Sequence, residues 1–143
     1  MPLNKIIVSL FFSFFVISGE MKSQTYSLSG VYTIGIGSDR DYKDIQKAVE
    51  ALNLHIIDGP VKFIIDSGTY NGGFTIGSVS GVSASDTILF TSASENGNDV
   101  IIHNQIDADD DYLVKLNGCQ RVTFKNITFK TVSSFSSNQI ILT

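Results

Sequence analysis

One run, Asp41 to Ile76, constrains the fold more than any other: DYKDIQKAVEALNLHIIDGPVKFIIDSGTYNGGFTI. Tyr42, Ile45, Val49 and Leu52 recur at the spacing of a single helical face, with Ala48 between them. Lys43, Gln46, Lys47 and Glu50 fall on the other side. The spacing predicts a helix over about residues 42–53, with Asp41 capping its first turn and Asp44 adding a carboxylate at the positive end of the dipole. Asn53 to Gly59 is expected to end it, at a sharp Gly-Pro turn from which Pro60 forces the chain to extend. A short apolar strand, an SGTY corner and a second strand then follow. A helix with one apolar stripe must lay it on something, and those strands offer the surface.

From Val61 the pattern changes to period 2, with Val61, Phe63 and Ile65 pointing one way and Lys62 and Ile64 the other. Similar short strands recur at Thr87–Phe90, Val100–Ile102, Leu113–Leu116, Val122–Phe124, Ile127–Phe129 and Ile140–Leu142. Phe63, Ile88 and Leu113 are spaced by 25 and 25 residues; Phe74 and Val100 by 26, with Ile127 a further 27 on. A recurrence of this length, with Gly, Ser and Asn between strands, is what stacked rungs produce. A strict 25-residue step would set Lys115 on Phe90, so a corner must gain a residue and seat Val114 and Leu116 inward. In VTFKNITFK (Val122 to Lys130) the inward phase slips by one at Asn126, which marks a corner where Asn tolerates left-handed backbone. Asn126-Ile127-Thr128 also fits an N-glycosylation acceptor, but the leader looks bacterial and the corner reading is preferred.

The expected fold is all-β: a right-handed parallel β-helix of about three rungs (about 61–143), capped by an N-terminal amphipathic helix and truncated as a solenoid. A β-sandwich is the competitor, because short strands with frequent turns suit it too. Hairpin dipeptides occur only within Glu95-Asn96-Gly97-Asn98, however, and a sandwich leaves the helix idle.

Residues 1–23 read as a secretory signal peptide: Lys5 near the start, an apolar run from Ile6 to Ile17, then a small polar segment from Ser18. A spanning helix would need roughly 20 apolar residues. Residues 24–143 then form one domain on the secreted or cell-surface side of a bacterial cell, with no integral membrane segment once the signal is removed. The cut could follow Gly19 or Ser23; after Ser23 it removes Lys5, Glu20 and Lys22, and the 10 basic and 14 acidic residues become 8 and 13, a net charge near −5. That balance argues against nucleic acid as a partner. Cys119 is alone, so no internal disulfide staples the fold, and a small buried hydrophobe is its expected role.

The runs DYKDIQKAVEAL and GPVKFIIDSGTYNGGFTI, with VYTIG (Val31 to Gly35) before them and VTFKNITF after, resemble the N-terminal entry of the pectin lyase-like superfamily. Pectinesterases and secreted Bacteroidetes β-helix proteins share this arrangement, and the resemblance spans roughly Gly30 to Phe129. It implies a polysaccharide-binding or polysaccharide-degrading protein. The catalytic aspartates and binding arginine of pectinesterases find no counterpart, since neither Q-D-T nor V-D-F occurs here. The catalytic residues therefore stay unassigned and are expected beyond residue 143.

Two clusters bear on binding. Asp107, Asp109, Asp110 and Asp111 could offer oxygen ligands to Ca²⁺, but the spacing lacks the Gly and distal Glu of an EF-hand loop. A solvated acidic corner accounts for them, and no metal site or cofactor is assigned. Every acidic residue lies at or before Asp111, whereas Lys115, Arg121, Lys125 and Lys130 follow it. A basic outer face of this kind could hold an anionic polysaccharide such as a polyuronate; lysines at outward strand positions also serve solubility and discourage edge pairing. His55 and His103 lack partners at any ligand spacing and read as structural or surface residues. Ile140-Ile141-Leu142 is an apolar strand whose open edge is expected to be covered by further chain or another subunit. Two functions stay open: a secreted lyase, esterase or hydrolase of the pectin type, and a non-catalytic adhesin or spacer module.

Overall fold

The computed structural model describes residues 26–104, 112–131 and 138–143. The elements run β1 (Ser27–Ile34), α1 (Ile45–Leu54), β2 (Ile56–Ile65), β3 (Gly68–Asn71), β4 (Phe74–Ile76), β5 (Ile88–Ser92), β6 (Val100–Asn104), β7 (Tyr112–Leu116), β8 (Val122–Lys125), β9 (Thr128–Thr131) and β10 (Asn138–Leu142). From β2 onward, successive strands enter three sheets in rotation. Sheet A is ordered β1-β2-β5-β8, sheet B β3-β6-β9 and sheet C β4-β7-β10. Every ladder is parallel, so each pass of the chain bonds to the pass beneath it. This is a parallel β-helix of about three turns, and the sandwich alternative falls with it.

The alternation read from the sequence places the core correctly. Val61, Phe63 and Ile65 are fully buried, as are Ile88 and Phe90 on the next turn. Fully burying side chains of this size contributes about 1.5–3 kcal/mol each. Phe63 stands in register with Phe90, and Phe90 with Phe124. In sheet C, Val114 and Leu116 sit on Phe74 and Ile76, the seating that the irregular register required.

The rung length itself differs from expectation. Phe63, Ile88 and Leu113 do not stack: Phe63 lies on Phe90, Ile88 on Val61, and Val114 on Phe74. The step is 27 residues from Phe63 to Phe90, 34 from Phe90 to Phe124, and 40 from Phe74 to Val114. Loops of unequal length between the strands, such as residues 77–87 and 93–99, smear any fixed period. Phe74 separates from Val100, because each pass forms three sheets and β4 and β6 enter different ones, whereas the 27-residue step from Val100 to Ile127 is the register of β6 on β9.

The capping helix starts later than its spacing predicts. Asp44, not Asp41, is the N-cap: its carboxylate accepts from the Lys47 amide at 2.8 Å, a contact of a kind worth about 1 kcal/mol. Asp41 instead accepts from the Thr33 amide and hydroxyl at 2.8 and 2.7 Å, tying the chain back to β1. Tyr42 is consequently not helical; it bridges to Ile34 in parallel fashion. Ile45, Ala48, Val49 and Leu52 form the buried stripe. The Gly-Pro pair is not a turn either. Gly59 and Pro60 lie inside β2, where Asp58-Gly59-Pro60 opposes Ser29 alone and shifts the register. Proline within a sheet belongs at such an irregularity, since it has no N–H for the ladder. The SGTY segment, read as a corner, supplies most of strand β3, and the corner itself falls at Asp66-Ser67.

Side-chain amides fasten the helix to the coil. Asn53 Nδ2 donates to the Thr75 carbonyl and Asn53 Oδ1 accepts from the Gly77 amide, both at 2.9 Å. Gln46 Nε2 donates to the Asn71 carbonyl at 2.6 Å. On β1, the Tyr42 amide donates to the Thr33 carbonyl and the Gly35 amide to the Tyr42 carbonyl, each at 3.0 Å.

Candidate functional site: the outward sheet faces

Because strands alternate, every sheet of the coil has an inward row and an outward row, and only the outward rows meet solvent. On sheet A the outward rows are Val31–Lys62–Leu89–Thr123 and Thr33–Ile64–Thr91–Lys125. They frame a shallow depression of about 200 Å³ that includes Lys62, Ile64, Leu89, Thr91, Glu95 and Lys125. Lys62 and Lys125 are exposed and stand diagonally across the floor made by Leu89 and Thr91. On sheet B the outward rows are Thr69–Ile101–Thr128 and Asn71–His103–Lys130.

The four basic residues singled out by sequence do not converge. Lys115 is half-buried on the outward face of sheet C, in register with Thr75. Arg121 is exposed in the turn before β8, with φ 55°, and its carbonyl accepts from the Ile88 amide. Lys125 belongs to sheet A and Lys130 to sheet B. The two lysines are five residues apart in sequence, yet the corner at Asn126, with φ 55°, turns them onto different faces. Lys62 is the partner of Lys125 that sequence reasoning did not single out; its outward phase on β2 was the available signal.

The acidic residues are mostly occupied in building the fold. Arg40 pairs with Asp66 at 2.7 Å and Asp39 at 2.9 Å, and the two carboxylates hold its guanidinium above its ordinary pKa. Asp58 accepts from Ser27 Oγ, Asp86 from Ser83 Oγ, and Asp99 from Asn96 Nδ2. The bonds from Thr33 pull the Asp41 carboxyl below the usual carboxylate range. Among the described residues, Glu95 in the sheet A depression is the acid with no such bond. No group of three His, Cys, Asp or Glu among the described residues could hold a metal ion. Asp107, Asp109, Asp110 and Asp111 lie outside the described residues, as do residues 1–23. Cys119 is half-buried against the core, and burial pushes its thiol pKa up. His55 closes the C-terminus of α1 through its amide and packs edge-on to Tyr26. No described helix is long and apolar enough to cross a membrane.

Three sheets wound in parallel beneath a lid helix define a parallel β-helix. Among solved structures, the chain is similar to the pectin methylesterase from Aspergillus niger, with a TM-score of 0.56 and 21% sequence identity. The match covers 85% of this chain and 40% of that one. No protein-family model matches the chain, and no curated protein resembles it in sequence.

Proposed function

We propose that the chain is the N-terminal part of a secreted β-helix protein that handles acidic polysaccharide, with sheet A as part of the binding surface. The observation that carries this is the depression in which Lys62 and Lys125 flank Leu89 and Thr91: two ammonium groups, unpaired among the described residues and outnumbering the Glu95 carboxylate there, over a mixed apolar and hydroxyl floor. Such a surface suits a chain of sugars bearing carboxylates. The similarity to a pectin methylesterase, a protein named for action on pectin, agrees with that class of ligand. On this reading bond-making chemistry lies beyond residue 143, and the engagement of the described aspartates in helix caps, turns and the Arg40 pair supports it.

Affinity electrophoresis of the full chain through polygalacturonate tests the reading. Retardation that falls with salt is expected, and Lys62→Gln with Lys125→Gln should weaken it about tenfold, given two exposed charge contacts of up to about 1 kcal/mol each. Unretarded migration at low salt overturns it. The same engagement of the aspartates favours a second reading, a non-catalytic surface module. A longer chain that binds polyuronate yet neither cleaves nor de-esterifies it would select that second reading.

A further inference from the structure

We infer that a second saccharide track crosses sheet B, separate from the sheet A depression, and takes an extended acidic sugar chain. The class of ligand rests on the function proposed above; the track itself rests on geometry. A cleft of about 430 Å³ opens where the Ile36-Gly37 segment, the start of α1 and the Asp66–Asn71 corner meet. A hollow of about 240 Å³ lies further up the same sheet, lined by Thr69, Ile101, His103 and Lys130. Thr69 lines both, so the two hollows adjoin at that residue along the proposed trough.

Along the trough, Asn71, His103 and Lys130 stand in register on β3, β6 and β9. Strand spacing sets them about 4.8 Å apart, an amide, an imidazole and an ammonium in a line. Among the described residues, none of these three side chains has a bonding partner. Lys43 adds a second ammonium at the cleft end. Of the carboxylates in the cleft, Asp66 is ion-paired with Arg40, while Asp44 caps α1 through the Lys47 amide, keeps its charge and offsets Lys43. The excess positive charge therefore lies at the Lys130 end, where no carboxylate lines the hollow, in a chain of net charge −4, and that end suits a sugar carboxylate. Ile101 gives a sugar ring an apolar strip to lie on. The corners at Asp66-Ser67 and Asn126 separate this face from sheet A, so the two surfaces can be occupied independently.

The test is an amide-shift titration of the ¹⁵N-labelled full chain with galacturonate hexamer, with a neutral hexasaccharide of equal length as control. Shifts at Thr69, Asn71, His103 and Lys130 are expected with the acidic hexamer alone. Lys43→Gln with Lys130→Gln should weaken binding there about fivefold or more and leave the Lys62 and Lys125 shifts in place. Shifts on sheet A without any on sheet B overturn the track and leave the proposed function standing. Shifts on sheet B alone support the track and overturn the sheet A placement. Silence on both faces, or equal response to the neutral sugar, overturns both.

Discussion

Phe63 and Phe90 lie in register on adjacent turns with their ring centroids 4.6 Å apart and their planes at 19°, and Phe124 extends the column at 5.1 Å. Both Phe63 and Phe90 are fully buried, so the middle ring has an aromatic face against each of its own faces. Phe90→Ala should therefore cost about 3–5 kcal/mol, and Phe90→Leu distinctly less, read from urea unfolding midpoints. A cost below about 1 kcal/mol for the alanine variant would mean that the column is not what holds the turns together.

Gly81 should not tolerate a side chain. Its φ is +90°, and a Cβ there would strike the Ile57 carbonyl oxygen. Gly81→Ala is expected to destabilise by about 2 kcal/mol or more. Gly97→Ala makes a control, since a Cβ there meets Asn126 backbone atoms at an ordinary 3.5 Å. Equal unfolding midpoints for the two variants would contradict this.

Asn126 holds its corner at φ 55°. Asn126→Gly should leave stability within about 0.5 kcal/mol, whereas Asn126→Val should cost about 1–2 kcal/mol, because a branched side chain resists that backbone region. Thermal melting of the two variants side by side decides the point.

Asp41 has its pKa lowered, first by the bond from the Thr33 amide and then by that from the Thr33 hydroxyl. A depressed folded value means that the stabilisation is fully present above the ordinary carboxylate pKa of about 4 and disappears as pH falls through the folded value. Wild-type melting temperature should thus drop between about pH 5 and pH 2 more steeply than that of Asp41→Asn, whose amide oxygen still accepts but cannot titrate. Parallel curves for the two proteins would remove Asp41 from the acid response.

The parts of the architecture decided by neighbouring residues were legible in the sequence. Val61-Lys62-Phe63-Ile64-Ile65 announces its buried and open sides without help from the rest of the chain, and Ile45, Ala48, Val49 and Leu52 announce the lid. Stacking was not legible, because which residue lies on Phe63 depends on the length of the loop at residues 77–87. The lid boundary was missed for a comparable reason: Asp41 and Asp44 are both competent caps, and only the proximity of Thr33 draws Asp41 away. The basic residues clustered in sequence but not in space, since a corner every few residues rotates neighbours such as Lys125 and Lys130 onto different walls. Lys62 and Lys125, far apart in the chain, share one wall because the coil has returned to it.

The carboxamide of Asn53 behaves as a counterfeit peptide group. Its N–H and C=O meet the Thr75 carbonyl and the Gly77 amide as a strand lying below β4 would. With those two groups saturated, β4 has little left to offer an intruding strand from beneath, and the coil is closed at the sheet C edge. An eleventh-hour aggregation partner, or a second molecule stacking from that side, would first have to prise off a lid that bonds like backbone yet is anchored by an apolar stripe.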